Sequence, residues 1–531
     1  MARRATPTPA AADPGSSTVP GLVAVLDMGA SAVRLIIAEL GPEKSIRIIE
    51  EASRGVLLGR DTFAAGVIRP QTADAAFTAL GGFRRIIDNY GVRDIWAVAT
   101  SAVREARNGE LFLDRIRGRT GLDFAIINEA EESRLVYLAV RDALAGHAAL
   151  KDAWTLLAEV GGGSTSLMLL RRGQPIRSGV YALGAIRLRQ QLELRRHGHE
   201  LQIALLRRSI ATVIDEIRLE MPLDRVRQLV AIGGDVRLAA SQILTEDDRD
   251  GVREIPRDAF IGFCDDVGRL EDDALVARFR LTAGDAETLV PALLVYRTLL
   301  AETAAKLLIV SDASLRAGML LDLAEPAGRP AAEDFERQVL ASAESVGRRF
   351  RFDDAHGRHV AALAGRLFDD LRDEHRLGDR ERLLLRTAGL LHDIGVYVSL
   401  RAHHKHSQYL LAASQIFGLS DRETAIVANV ARYHRRATPQ DSHLPYMALD
   451  RADRLIVNKL AAILRVANAL DAEHLQKVRD VRVVRGEKTW VLELEGTGDL
   501  TMEQMAAAAR ADLFSEVFGR RPIIRPARVP Q

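Results

Sequence analysis

The sequence predicts an α/β fold with two similar lobes, followed by an all-helical domain and a small α+β cap. Before residue 330, two stretches repeat one order of strand, acidic residue, glycine loop and strand. Between about residues 333 and 475 the strand patterns disappear, and apolar residues recur at helical spacing instead. Alternation returns from Val481 to Leu494, which predicts a β-hairpin in the last part of the chain.

The predicted boundaries follow these changes in pattern. Residues 1–20 are rich in Ala, Pro, Thr and Ser and lack the apolar segment of a signal peptide, so they predict a disordered tail. The two lobes are predicted over residues 21–145 and 146–323, the helical domain over 333–478 and the cap over 479–531. At roughly 150 residues per domain, 531 residues have room for all of these units.

Charge and cysteine content narrow the class of protein. The chain has 73 basic and 72 acidic residues, so no overall field attracts it to nucleic acid or to a membrane. Cys264 is the only cysteine, which excludes an intramolecular disulfide and a thiolate metal cluster and fits a reducing compartment. No apolar run approaches the ~18 residues of a membrane span. We therefore expect a cytoplasmic protein with no nucleic-acid or membrane partner.

The most informative stretch runs from Glu159 to Ser166, between two apolar runs that predict strands. Its three consecutive glycines allow the backbone to approach a ligand, and turned N–H groups form a nest that binds anions. Ser164 and Thr165 add hydroxyl donors. An acid at the end of the strand suits a metal ion that accompanies a phosphate. The stretch therefore predicts a phosphate-binding loop.

An earlier stretch, Asp27-Met-Gly29-Ala-Ser31, has the same order between two apolar runs. Asp27 and Gly29 correspond to Glu159 and Gly161 of the later stretch. This internal duplication predicts two similar lobes that face a cleft, each lobe offering one phosphate loop.

Five stretches together resemble the exopolyphosphatase / guanosine pentaphosphate phosphohydrolase (Ppx/GppA) family of the actin-like ATPase superfamily. They occur in the family's order, from residue 22 to about 323, and are Asp27–Ser31, Thr100–Asn108, Ile127–Leu135, Gly161–Thr165 and Val310–Gly318. The resemblance implies two actin-like (ribonuclease H-like) lobes. It also implies release of terminal phosphate from inorganic polyphosphate or guanosine pentaphosphate with Mg²⁺, in a protein that forms homodimers.

The resemblance also assigns roles to residues of the cleft. Glu132 would orient or deprotonate the attacking water, Arg104 would balance the charge of a phosphate, and Asp27 and Glu159 would hold Mg²⁺. The residues implied in phosphate binding are Gly29, Ser31, Gly161, Gly162, Gly163, Ser164 and Thr165. From the residues alone, a solvated helix start is the favoured interpretation of Glu132, and the two acids could cap the glycine turns.

The chain departs from the family's pattern at both loops. Ala30-Ser31-Ala32 stands where the family has Ser-Asn-Ser, Glu159 replaces an aspartate, and Ser166 replaces a glutamate. Fewer carboxylates weaken a Mg²⁺ site. An alternative reading of the chain is therefore a polyphosphate or alarmone sensor that binds without cutting.

The predicted helical domain contains a second set of ligand-type residues. His356, His392-Asp393 and Asp471 occur in the order that resembles the HD metal-dependent phosphohydrolase superfamily, which implies an HD-like fold and a second divalent metal. A further hypothesis is that this HD-like site acts on a nucleotide. Nearby basic residues could instead line a channel for a polyanion without any metal; these are His404, His406, His434 and Arg435.

Overall fold

The computed structural model describes residues 21–42, 45–151, 154–244, 251–324, 329–435, 437–486 and 490–526. The predicted tail over residues 1–20 and part of the turn predicted at Gly486-Glu487 lie outside these ranges. Within them, the chain forms two mixed sheets flanked by helices, then a helical domain and a three-stranded sheet. The predicted fold class, α/β with two actin-like lobes, an HD-like helical domain and a small cap, is confirmed.

The first lobe has five strands in the order β3-β2-β1-β4-β5. β1, β2 and β3 pair antiparallel, whereas β4 and β5 continue the sheet parallel to β1. Both faces of β1 and β2 are buried, which explains their nearly continuous apolar sequences. The strands are β1 (Gly21–Met28), β2 (Ala32–Leu40), β3 (Ile46–Gly55), β4 (Asp94–Ala99) and β5 (Phe124–Ile126). The helices are α1 (Leu58–Ala65), α2 (Pro70–Asn89), α3 (Ser101–Arg104), α4 (Gly109–Thr120) and α5 (Glu129–Ala143).

The second lobe repeats this plan in a sheet with the order β10-β11-β9-β6-β7-β8. β6, β7 and β8 pair antiparallel, and β9 and β11 continue the sheet in parallel. The strands are β6 (Trp154–Val160), β7 (Thr165–Arg171), β8 (Gln174–Tyr181), β9 (Gln228–Ile232), β10 (Val252–Pro256) and β11 (Leu307–Ser311). The helices are α6 (Ala185–Gln191), α7 (His199–Glu220), α8 (Gly234–Ile243), α9 (Arg257–Val267), α10 (Asp272–Phe279), α11 (Ala283–Ala301) and α12 (Leu315–Ala324).

A buried layer made by α5 and α12 joins the two sheets. It unites Val25 of the first sheet and Leu157 of the second with Leu135 and Met319 of these helices in one apolar cluster. The helices approach so closely that a Cβ on Gly318 would lie 1.9 Å from the carbonyl oxygen of Leu135. Glycine is therefore required at this crossing.

The helical domain and the cap share one continuous apolar core. Leu363 and Leu464 of the helices belong to the same cluster as Trp490 and Phe514 of the cap. The helices are α13 (Arg329–Arg349), α14 (Asp354–Asp370), α15 (Arg372–His375), α16 (Asp379–Leu391), α17 (His403–Ala412), α18 (Asp421–Arg432), α19 (Leu444–Met447) and α20 (Arg451–Ala469). The cap consists of β12 (Val478–Arg485), β13 (Trp490–Gly496), α21 (Thr501–Ala509), α22 (Asp512–Phe518) and β14 (Pro522–Pro526).

None of the helices that the structure describes combines the length and the apolar character needed to cross a membrane.

Two candidate functional sites

The two lobes enclose a cleft with a cavity of about 370 Å³. Both glycine loops line it, together with the start of α5 and the start of α12. The predicted residues among its walls are Asp27, Gly29, Ser31, Glu132, Glu159, Gly161, Gly162, Gly163 and Ser164. The structure thus brings most of the sequence-predicted cleft residues to one cavity.

The two glycine loops have the same backbone hydrogen bond. The N–H of Gly29 donates to the carbonyl of Ala32 at 3.0 Å, and the N–H of Gly161 donates to that of Ser164 at 2.9 Å. This equivalence accounts for the duplication seen in the sequence. Gly163 has a packing reason as well, because a Cβ there would lie 2.4 Å from Oγ of Ser101.

Thr165 lies outside the cleft, unlike its predicted place among the phosphate-binding residues. Its side chain is fully buried at the start of β7, and its hydroxyl donates to the carbonyl of Leu183 at 2.8 Å. Successive side chains of a strand point to opposite faces, so Ser164 and Ser166 line the cavity and Thr165 faces the core.

Glu132 lies in the first turn of α5, whose start is fixed by Asn128. The Asn128 side chain accepts a hydrogen bond from the N–H of Glu131 at 2.9 Å, as an N-cap residue does. Burial in the cleft raises the pKa of Glu132 to about 7, although the nearby Arg104 lowers it. A carboxyl group with such a pKa can exchange a proton near neutral pH.

Arg104 lies behind Glu132 rather than in the cavity wall. Its Nη1 donates to the carbonyl of Ile127 at 2.8 Å and lies 3.6 Å from Oε2 of Glu132. Its Nη2 lies 3.5 Å from Oε1 of Glu129. The predicted contact of Arg104 with phosphate does not fit this geometry, because its donors are turned to the start of α5.

Two further acids in the cleft also have raised pKa values. Burial raises the pKa of Glu159 to about 8, and the negative charges of Glu132 and Asp27 add to this rise. Burial likewise raises the pKa of Asp235 to about 6. Crowded acids of this kind mark functional sites in many proteins, and a cation would relieve their repulsion.

Asp27 differs from the other acids because arginines engage both of its oxygens. Oδ2 accepts a hydrogen bond from Nη1 of Arg316, and Oδ1 lies 3.5 Å from Nη1 of Arg34. Glu159 and Glu132 keep hard oxygen donors available, so the cleft residues fit a Mg²⁺ ion bound mainly by Glu159. Asp27 could bind this ion only if its contacts with Arg34 and Arg316 were broken.

Three arginines of the cleft received no role from the sequence, namely Arg34, Arg237 and Arg316. Nη1 of Arg237 and Nε of Arg316 are buried and make no hydrogen bond with the described residues. Arg34 could have been found from strand pairing, because it lies directly opposite Asp27 in the β1–β2 ladder. These guanidinium groups suit a phosphate better than Arg104 does.

The second site lies in the helical domain, where helix ends converge on Asp393. His356 belongs to the first turn of α14, His392 follows α16, His403 begins α17, and His434 lies two residues after α18. At most 4% of any of these four histidines is exposed. Asp393 with His403 and His434 forms one group that could hold a metal ion, and Asp393 with His356 and His474 forms another.

Each of the four imidazoles has its Nδ1 committed to an acceptor. Nδ1 of His392 donates to the carbonyl of Gly389 at 2.7 Å, that of His403 to Leu400 at 3.0 Å, and that of His434 to Ala431 at 2.7 Å. Carbonyl oxygens only accept, so Nδ1 of these three rings carries a proton, and a neutral ring protonated there has its lone pair on Nε2. This is the tautomer in which histidine binds a metal through Nε2.

Asp471 is the hydrogen-bond acceptor for the fourth imidazole, that of His356. Its Oδ2 accepts from Nδ1 of His356 at 2.8 Å, and its Oδ1 accepts from the N–H of Gln476 at 2.7 Å. The sequence placed Asp471 among the metal ligands. In this arrangement it orients the ring of His356 instead, as carboxylates behind metal-binding histidines do.

The histidines predicted for a polyanion channel separate into two groups. His434 is fully buried and directs Nε2 to Asp393 at 3.3 Å, so it belongs to the cluster rather than to a surface channel. His404, His406 and Arg435 remain partly exposed nearby. His403, which the sequence placed in the run that could line the channel and not among the metal ligands, takes a place in the cluster.

Charge in the cluster is concentrated on Asp393. Burial alone would raise its pKa, but the imidazoles of His392, His403 and His434 outweigh burial and hold the pKa well below its usual range. Burial lowers the pKa of His434 well below its ordinary value. An ionised carboxylate among imidazoles is a suitable set for a divalent transition metal.

Comparisons with known proteins agree with this architecture. The Ppx/GppA phosphatase family matches residues 36–326, and domain III of the Ppx/GppA phosphatases matches residues 339–508. A guanosine-5′-triphosphate,3′-diphosphate pyrophosphatase of Vibrio parahaemolyticus is 20% identical over 464 residues, which are 83% of this chain and 86% of the relative.

Two further comparisons cover parts of the chain. Exopolyphosphatase 1 of Mycobacterium leprae is 32% identical over 117 residues, or 22% of this chain and 34% of that protein. The crystal structure of an exopolyphosphatase from Cytophaga hutchinsonii aligns with a TM-score of 0.53 and 21% identity, covering 57% of this chain and 97% of that one. Since the match to the family extends over more than half of the sequence, this protein belongs to the Ppx/GppA phosphatase family.

Proposed function

We propose that the cleft hydrolyses the terminal phosphoanhydride bond of inorganic polyphosphate or guanosine pentaphosphate and releases orthophosphate. One observation carries the proposal. The carboxyl group of Glu132, with a pKa of about 7, lines the same cavity as both glycine loops. The reaction needs a base or water-orienting group beside a phosphate site, and the position of Glu132 beside the glycine loops supports both roles.

In the proposed reaction, the loops around Gly29 and Gly161 hold the terminal phosphoryl group by their N–H groups. Arg237 and Arg316 offer guanidinium N–H groups to the same phosphate. Glu132 takes a proton from water as the water oxygen attacks phosphorus. The bond from phosphorus to the bridging oxygen breaks, and the shortened chain leaves with that oxygen. Arg104 keeps Glu132 in place.

Glu159 is the residue that we propose as the main ligand of Mg²⁺ in the cleft, with Asp27 as a further ligand. The ion would supply positive charge to the phosphate oxygens. The replacement of a glutamate by Ser166, directly opposite Glu159 in the β6–β7 ladder, leaves fewer carboxylates for this ion than the family's pattern has. A cytoplasmic location and a homodimer also belong to the proposal.

The convergence of four imidazoles on Asp393 favours a second candidate function, metal-dependent hydrolysis of a nucleotide phosphate in the helical domain. His356, His392 and Asp393 would hold the divalent metal, and Asp471 would orient His356. A non-catalytic sensor of polyphosphate or alarmone is the third possibility that the experiment must separate.

The test measures phosphate release from polyphosphate and from guanosine pentaphosphate with the wild-type chain, Glu132→Gln and Asp393→Ala. We expect release by the wild type and by Asp393→Ala, and none above background by Glu132→Gln. Loss only in Asp393→Ala would overturn the assignment to the cleft and support the helical site. Binding of both compounds by all three proteins without release would identify a sensor.

A further inference from the structure

The second glycine loop is held in place by the start of α6. Two carbonyl groups of the loop accept hydrogen bonds from the first N–H groups of this helix, at 2.9 to 3.0 Å. The pairs are Gly161 with Ala185, and Gly162 with both Ile186 and Arg187. A third carbonyl, that of Gly163, accepts from Nε of the Arg187 side chain. A helix leaves its first N–H groups unpaired, so the loop supplies the acceptors that the start of α6 lacks.

These contacts decide where the N–H groups of the loop point. The carbonyl and the N–H of a trans peptide point in opposite directions, and the described residues contain no cis peptide bond. Because α6 holds three successive carbonyls, the N–H groups on the opposite side of those peptides turn away from α6. They belong to Gly162, Gly163 and Ser164, and they donate to no acceptor among the residues that the structure describes. All three residues line the cavity, so the loop offers a ligand three successive donors.

Gly184, the residue before α6, shows how closely the loop and the helix approach each other. A Cβ on Gly184 would lie 2.4 Å from the backbone nitrogen of Ser164 and 2.5 Å from the carbonyl oxygen of Gly162. Backbone packing and backbone hydrogen bonds therefore fix the first two peptides of the loop. The last peptide, between Gly163 and Ser164, depends on a side chain, that of Arg187.

The guanidinium group of Arg187 is held in turn by the first lobe. Its Nη2 donates to Oε1 of Glu105 at 2.6 Å, its Cζ lies 4.1 Å from the centre of the Phe63 ring, and only 12% of the side chain is exposed. Glu105 directly follows Arg104, whose Nη1 lies 3.6 Å from Glu132. One turn of the first lobe thus contacts both the support of the phosphate loop and the proposed base.

We propose that Arg187 is a positioning residue of the cleft. By holding the carbonyl of Gly163, it directs the N–H of Ser164 at the bound phosphate, and through Glu105 it fixes the distance of that phosphate from Glu132. The inference rests on the proposed function of the cleft and adds to it a residue outside the cavity wall. Since Glu105 balances the charge of Arg187, the arginine acts on phosphate through the backbone of the loop rather than by its own charge.

The test measures the Kd for inorganic orthophosphate by isothermal titration calorimetry, with the full-length chain and Mg²⁺. Arg187→Gln should raise the Kd by about tenfold or more, because a misplaced donor loses most of its contribution. Arg189→Gln is the matched control, since Arg189 lies two positions further along α6 and pairs at 2.8 Å with Asp272 of its own lobe. Its Kd should equal that of the wild type.

Both variants remove an ion pair of α6, so a loss of stability alone would affect them alike. Their melting temperatures, measured beside the Kd values, check this point. An unchanged Kd in Arg187→Gln, or an equal rise in both variants, would overturn the positioning role.

Arg187→Lys is the second variant, for use if Arg187→Gln does not fold. Its single ammonium group lacks the planar fork of a guanidinium group and cannot serve Gly163 and Glu105 at once. Its Kd for orthophosphate should therefore lie between those of the wild type and Arg187→Gln. A Kd equal to that of the wild type would overturn the double contact.

The binding test separates this inference from the proposed function. A wild type that hydrolyses polyphosphate, with a Kd for orthophosphate that Arg187→Gln leaves unchanged, would overturn only the role of Arg187. A wild type that binds orthophosphate but releases none from either compound would overturn the proposed function, while a higher Kd in Arg187→Gln than in Arg189→Gln would still support the positioning role. No binding of orthophosphate by the wild type would overturn both.

Discussion

The cleft and the helical-domain cluster are both suited to cations, but they differ in where their ionisable groups hold protons. In the cleft, burial raises the pKa of Glu132 to about 7 and that of Glu159 to about 8, and the charge of Glu132 adds to the rise at Glu159. In the cluster, Asp393 stays ionised and the imidazoles direct their Nε2 atoms at it. The cleft can hold protons where a cation would bind, whereas the cluster has its protons committed on the far side of each ring. The first site should therefore respond to pH near neutrality, and the second to the supply of metal.

The largest effect that we expect comes from removing the charge of Glu132. Glu132→Gln should lower kcat for phosphate release by about 10²–10⁴, because a positioned base contributes that much. Glu129→Gln is the matched control, since Glu129 lies in the same turn and also approaches Arg104. It should remain within about threefold of the wild type. Equal losses in both variants would mean that the charge around Arg104, rather than a base, matters.

The next effect concerns the ion pair that distinguishes Asp27 from the other acids. Arg316→Gln should lower the free energy of unfolding by about 3 kcal/mol, because it leaves a buried carboxylate without its closest cation. Arg196→Gln, which removes an exposed pair with Glu193, should change it by less than about 1 kcal/mol. Urea denaturation monitored by circular dichroism measures both. A similar small change in the two variants would show that Asp27 is adequately held by Arg34.

A smaller effect is expected from pH in the cleft reaction. The working form of Glu132 is deprotonated, and its pKa is about 7, so kcat/KM should rise about tenfold between pH 6 and pH 8 and level off above. The profile should be measured at saturating Mg²⁺, since protonation of Glu159 would otherwise weaken metal binding in the same range. A flat profile, or a fall with rising pH, would contradict a base at Glu132.

The smallest effect concerns Thr165, whose side chain faces the core whereas its neighbours Ser164 and Ser166 line the cavity. Thr165→Val should cost about 1 kcal/mol of stability, because the carbonyl of Leu183 loses its donor, and it should leave KM for polyphosphate unchanged. Thr212→Val, at an exposed helical threonine, is the control and should be nearly neutral. A rise in KM with Thr165→Val and unchanged stability would place its hydroxyl in the cleft after all.

The sequence was sufficient for the architecture because the architecture depends on local patterns. Alternating and continuous apolar runs define the strands, and the glycine loops at Gly29 and Gly161 are visible as a duplication. Side chains of a strand alternate between its two faces, so counting from Ser164 also predicts that the side chain of Thr165 faces the core.

Other features depend on parts of the chain that are far apart. Arg316 meets Asp27 across 289 positions, and His356 meets Asp471 across 115. His403 reaches the cluster because Ala402 adopts a left-handed conformation, with φ of 57°, just before α17. A non-glycine residue rarely adopts this conformation, so nothing in the sequence indicates the turn. These contacts come from tertiary packing, which residue patterns do not encode.

The crossing of α5 and α12 at Gly318 has a consequence for motion. The backbones of Leu135 and Gly318 approach so closely that they leave little room for sliding, so we expect a rotation of one sheet relative to the other to turn about this contact. Glu132 lies one turn before Leu135, and Arg316 lies two positions before Gly318, so both stand close to the pivot. The outer edges of the lobes could swing through large arcs while these two side chains hardly change their separation. The lobes could thus open for a long phosphate chain without disassembling the groups that would act on its end.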